Sequence, residues 1–94
     1  MEDKYDLNKF VHTITEQSVL CKITKRVKER RKEAKFTQRE FAKRSGVSYA
    51  SLRRFESTGE ISFRSLLKIA NALNTLSEFN ALFCNEIITN LKDY

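Results

Sequence analysis

Apolar residues recur along this chain at intervals of three and four, the spacing of one helix face, and almost nowhere alternate with polar ones as a half-buried strand would require. Leu7, Val11 and Ile14 keep the helical interval, although "KFVHTI" reads equally as a short strand. Thr13 with Glu16 fits a capping box and Thr15 is a further cap, so a helix should start near residues 14–18 and run to about Ala34. Its stripe is Leu20, Ile23, Val27 and Ala34, with Arg31 filling the gap in the spacing. Thr37 and Glu40 form a second capping box, opening "QREFAKRS" with Phe41 and Ala42 inward. Ser48 caps "YASLRRFES", which turns Leu52 and Phe55 inward and leaves Tyr49, Ala50, Arg53 and Arg54 on other faces.

After the turn "STGE", Ser62 caps "FRSLLKIANALN", whose expected inward set is Phe63, Leu66, Leu67, Ala70 and Leu73, with Arg64, Lys68, Asn71 and Asn74 outside. A third capping box, Thr75 with Glu78, opens "LSEFNALF". The final segment, "CNEIITNLKDY", sets Phe83, Ile87 and Leu91 at four-residue steps. The pattern predicts one all-α domain over residues 1–94, five helices with extensions at both ends.

The stretch Gln38–Ser57 would read as one helix but for Gly46, and a glycine in a helix interior costs about 1 kcal/mol relative to alanine. Two helices meeting at a corner remove the conflict. Gly46 then ends the first helix with a positive φ. Ala42 is small because the second helix crosses close above it, and Val47, Leu52 and Phe55 pin the pair together. That arrangement is a helix-turn-helix unit.

Composition agrees with helices: there is no proline, and Gly46 and Gly59 are the only glycines among 94 residues. No apolar run approaches the ~20 residues of a membrane span, and "MEDKYDLNKF" lacks the apolar core of a signal peptide, so the expected setting is cytoplasmic. Cys21 and Cys84 are isolated and His12 is the sole histidine, which argues for two buried thiols and against a metal site. No nucleophile–base set, catalytic carboxylate pair or phosphate-cradling glycine loop is present, so neither an enzyme nor a cofactor is expected.

Charge is distributed unevenly. Residues 22–54 hold 13 Lys/Arg against 3 Asp/Glu, a net of +10, while the rest of the chain carries −4 of the overall +6. A basic block over a patterned motif fits a footprint on a polyanion, although charge alone fits a solvated helix face as well.

Residues 23–83, about two-thirds of the chain, resemble the Cro/C1-type (Xre) helix-turn-helix family of phage repressors and bacterial regulators. The residues that carry the likeness are "ITKRVKERRKEAKFTQREFAKRSGVSYASLRRFE" followed by "ISFRSLLKIANAL". The stretch from "RRFE" through "TGEIS" to "SLL" and "IA" looks further like the branch that includes HipB-like antitoxins, a pattern that stand-alone repressors share. The resemblance implies a lambda-repressor-like five-helix fold, with residues 23–83 as the DNA-binding core and 1–22 and 84–94 as extensions for dimerisation or partner binding. It implies a recognition helix of about residues 48–57 in the major groove, with the preceding helix aiming its N-terminus at the backbone. By position, Tyr49, Ala50 and Arg54 would face bases, and Arg54 suits guanine O6 and N7. Gln38 would bind a phosphate and brace the recognition helix. Ser48, Ser51 and Arg53 would line the groove wall, and Lys28, Arg39, Lys43, Arg44 and Arg64 are further backbone candidates. Tyr49 stands where relatives commonly carry an amide, which puts amide-to-adenine readout in doubt there.

In the resembling repressors an Arg–Glu pair occupies the positions of Arg31 and Glu56, so a buried salt bridge is expected between them; the alternative is that Arg31 lays its stem on the core and keeps its head in water. Phe83, Ile87 and Leu91 are either a dimer or partner surface or packing on the first helix. The functional expectation is a nucleoid-associated regulator that represses by binding operator DNA as a homodimer. Its rivals are an antitoxin that neutralises a kinase-like toxin and represses its own promoter, and an interaction module without DNA affinity.

Overall fold

Thr15 closes the N-terminus of the first helix: its hydroxyl accepts from the Ser18 amide at 3.0 Å, and the Ser18 hydroxyl accepts in return from the Thr15 amide at 3.0 Å. The computed structural model describes residues 14–86. The segment around Leu7 and Val11, the Thr13 cap, and Ile87 and Leu91 lie outside the described residues. Five helices follow one another: α1 (Glu16–Glu33), α2 (Gln38–Ser45), α3 (Tyr49–Thr58), α4 (Phe63–Ala72) and α5 (Leu76–Asn80). No strand occurs among the described residues.

Side-chain caps fix where α2, α3 and α4 begin. Thr37 and Glu40 form the reciprocal capping box of α2, with the Glu40 carboxylate accepting from the Thr37 amide at 2.8 Å. Ser48 and Ser62 each accept from the amide three residues on. The corner between α2 and α3 is Gly46, at φ 82°, and its neighbour Val47 donates its amide back to the Ala42 carbonyl at 3.1 Å. Two helix ends without glycine use the same geometry. Lys35 (φ 65°) follows α1 and Asn74 (φ 61°) follows α4, and the next amide returns to the Arg31 or Ala70 carbonyl.

The core sits where α2, α3 and α4 meet. Phe41, Leu52 and Ile69 are fully buried, with Ala42, Phe55 and Ala70 beside them. Each large side chain withdrawn from water contributes roughly 1.5–3 kcal/mol, so these few positions supply much of the driving force. Half-buried Val27, Phe36, Val47, Ile61, Leu66 and Leu73 surround them. Ala42 is 3% exposed, as its role beneath the crossing helix requires.

Several expectations are corrected. The buried face of α4 centres on Ile69, whereas Phe63, at the overhanging first position of the helix, is 64% exposed. Ala34 caps α1 and is exposed; Thr24 is buried in the first helix instead, its hydroxyl satisfied by the Leu20 carbonyl at 2.8 Å. Thr75 makes no cap for α5, because its hydroxyl turns back to the Ala70 carbonyl. That helix stops at Asn80, leaving Leu82 and Phe83 exposed. Cys21 and Cys84 are both exposed, so they are not buried thiols.

Candidate nucleic-acid interface

Arg31 reaches from the last turn of α1 to Glu56, near the end of α3. Its Nε donates to one carboxylate oxygen at 2.7 Å and its Nη2 to the other at 3.0 Å, the paired geometry of a guanidinium fork. The third nitrogen, Nη1, donates to the Phe36 carbonyl at 2.7 Å. Gln38, the first residue of α2, donates its Nε2 to the same Glu56 carboxylate at 2.8 Å. Both charged side chains are shut away from water, at 9% and 2% exposure, so the expected buried salt bridge is present and the snorkelling alternative is not. One carboxylate thereby ties three helices together, and Gln38 braces the third helix as anticipated. Its amide keeps a second N–H and an oxygen for a further partner.

Above this network lies a shallow hollow lined by Lys28 from α1, Gln38 from α2 and Ala50, Arg53, Arg54 and Ser57 from α3, with Glu56 at its floor. Five residues assigned to DNA contact from the sequence thus share one face. Arg39, from the first turn of α2, joins them through Tyr49, which carries the Arg39 guanidinium 4.0 Å above its ring centroid and that of Arg53 at 5.6 Å. Ser48 is occupied in capping, and its hydroxyl also donates to the Ser51 hydroxyl at 2.8 Å. Lys43 and Arg44 stand at the far end of α2, lining a separate hollow with Phe36, over whose ring Arg44 lies at 5.0 Å. Arg64 is exposed on α4, outside both hollows.

The electrostatics of the shared face are one-sided. Among the described residues, Arg30 is matched with Glu29 and Glu33, and Arg31 with Glu56. None of Lys28, Arg39, Arg53 or Arg54 meets a carboxylate of the described residues within 4.0 Å. Cations held together without counter-charges leave a field that a polyanion satisfies. Gln38, the first residue of α2, brings that helix's N-terminus to the edge of the hollow.

The family model of the helix-turn-helix, the Cro/C1-type (Xre) class, matches residues 27–79, more than half of the chain. The chain belongs to this helix-turn-helix family. No curated protein and no solved structure matches it significantly. As in a DNA-binding helix-turn-helix regulator, α2 and α3 are the motif and α3 occupies the place of the recognition helix. No helix among the described residues is long and apolar enough to cross a membrane.

Two contacts of this helix-turn-helix site were not among the expectations. Arg53 lies four residues after Tyr49, an interval that puts both on one helix surface and signals the stacking. The approach of Arg39 depends on the angle between α2 and α3, which no local spacing encodes.

Proposed function

We propose that the protein is a sequence-specific transcriptional repressor that works at the nucleoid and binds a palindromic operator as a homodimer, each α3 lying in the major groove. Ala50 and Arg54 meet base edges, Arg54 taking guanine O6 and N7 and Ala50 offering its methyl to thymine. Gln38, Lys28, Arg39, Ser48, Ser51 and Arg53 hold the sugar-phosphate backbone, with Lys43, Arg44 and Arg64 at its margins. Phe83, with Ile87 and Leu91 beyond the described residues, forms or flanks the two-fold contact. The observation behind this reading is the single face on which Lys28, Gln38, Ala50, Arg53 and Arg54 converge, the cations having no neutralising carboxylate among the described residues.

Equilibrium titration of labelled duplexes, with an unrelated duplex as competitor, tests it. Specific complexes should persist at moderate salt, with log affinity falling by about 0.9 per phosphate contact for each unit of log salt. Equal affinity for every duplex would contradict sequence-specific repression.

The antitoxin reading keeps this DNA chemistry and adds a toxin as protein partner. What favours it is an apolar groove where Ile14, Val19 and Phe63 stand exposed beside Ile61 and Leu66. Co-purification with the product of an adjacent gene would select it.

A further inference from the structure

Tyr49 opens α3, one residue after its cap, at a position expected from the sequence to face bases. Its ring already has partners within the protein. It is half-buried against the apolar core, and the Arg39 and Arg53 guanidiniums lie 4.0 Å and 5.6 Å from its centroid. The two arginines come from different helices, Arg39 from the first turn of α2 and Arg53 one turn along α3. Both are exposed, and neither meets a carboxylate among the described residues.

The electron-rich face of an aromatic ring attracts a guanidinium laid over it. Stacking uses the face of the guanidinium and leaves its N–H donors, which lie in the plane, free for phosphate oxygens. Sharing one ring keeps the two cations within about 10 Å of each other, close enough to reach neighbouring phosphates of one strand. Two arginines so close repel, and without the ring each would spread into solvent. Held by it, they have less freedom to lose on meeting DNA.

We propose that Tyr49 is a positioning residue: its ring presets Arg39 and Arg53 as a pair of phosphate clamps and leaves base readout to Ala50 and Arg54. The proposal rests on the DNA-binding reading above. It makes the ring essential and the phenolic hydroxyl dispensable.

Comparison of wild type, Tyr49→Phe and Tyr49→Leu tests this with two readouts. Without DNA, side-chain NMR should show ring-current shifts at the Arg39 and Arg53 Nε–H groups in wild type and Tyr49→Phe, and their loss in Tyr49→Leu. With DNA, Tyr49→Phe should match wild type. Tyr49→Leu should bind operator and unrelated duplexes alike ~10-fold more weakly, with a salt slope shallower by up to about two contacts' worth and an unchanged ratio between them. Altered preference at one base pair in Tyr49→Leu would make Tyr49 a base reader and overturn the proposal. So would wild-type affinity and slope in that variant, equal losses in Tyr49→Phe, or absent ring-current shifts in wild type. Should Tyr49→Leu fail to fold, Arg39→Ala and Arg53→Ala serve instead. Each should weaken all duplexes equally, and a changed base preference in either would overturn the clamp. A wild type that binds no duplex while showing the ring-current shifts would remove the DNA-binding reading and the clamp's purpose with it. Binding by wild type with an unaltered slope in Tyr49→Leu would remove the clamp alone.

Discussion

Replacing Arg31 by methionine keeps the apolar stem of the side chain and removes its charge, stranding a Glu56 carboxylate that is 2% exposed. Removing one partner of a buried pair destabilises by about 3–5 kcal/mol. Gln38 would still donate to Glu56 at 2.8 Å, which favours the lower end of that range. The Phe36 carbonyl would lose its Arg31 donor as well, a cost of roughly 1–3 kcal/mol if the group stays dry. Small domains have only about 5–15 kcal/mol in hand, so this one contact decides whether the protein stays folded in mild denaturant. With a urea m-value of about 1.5 kcal/mol per molar, a loss of 3–5 kcal/mol lowers the unfolding midpoint by roughly 2–3 M. Circular dichroism at increasing urea measures it, and an unchanged m-value shows that stability, not denatured-state compactness, has moved. The double variant Arg31→Met/Glu56→Leu should recover much of the loss, because an apolar pair can replace a buried ion pair at little cost. Recovery should stop short of wild type, since Phe36 and Gln38 stay unpaired. Arg31→Met unfolding at the wild-type midpoint, or a double variant losing the sum of both single losses, would refute the reasoning.

The two glycines should respond differently to alanine. Gly46 has open space around it at φ 82°, so Gly46→Ala carries only the left-handed penalty, about 1–2 kcal/mol by urea unfolding. At Gly59, φ 84°, an added methyl meets Leu20 Cγ at 3.0 Å and Thr24 Oγ1 at 3.2 Å, so Gly59→Ala should cost about 1–3 kcal/mol more. Arg54→Ala should lose on the order of 1–3 kcal/mol for operator and relax preference at one base pair, whereas Lys43→Ala should weaken all duplexes alike. Sedimentation of a chain ending at Phe79 should show monomer; an unchanged dimer would rule out the stripe of Phe83, Ile87 and Leu91 as the contact. Cys21 and Cys84, both exposed, should react with a thiol reagent in the folded protein, and protection of either would contradict its placement.

Most features closed by bonds three residues apart were legible in the sequence, the Thr75 cap of α5 being the exception. The Thr37–Glu40 box and the Ser48 and Ser62 caps are such features, and Gly46 marked the corner because glycine alone adopts its φ without strain. Lys35 and Asn74 do the same work unannounced, since α1 and α4 impose positive φ on residues that merely tolerate it. The apolar stripe of α4 was read with its edge misplaced. Its spacing defines a broad face, and only packing on α2 and α5 decides that Ile69 faces inward while Phe63 overhangs. Cysteine's general tendency to be buried says nothing about which side of a helix it occupies, and Cys21 lies on the open side of α1, within 3.3 Å of Gln17 Nε2. In the site, Arg31 was conspicuous as a charge in an apolar series, and its partner came from the family resemblance. The stack of Arg39 on Tyr49 was hidden because two helices meet there at an angle that the spacing does not contain.

Selection of bound duplexes from a randomised pool, repeated with Arg54→Ala, tests most directly whether α3 reads DNA sequence in the major groove. Wild type should enrich two inverted half-sites whose centres lie about 10–10.5 base pairs apart, and a guanine preference within each half-site should vanish with Arg54→Ala. A pool that stays random under wild type, or an enriched sequence indifferent to Arg54, would contradict that role for α3.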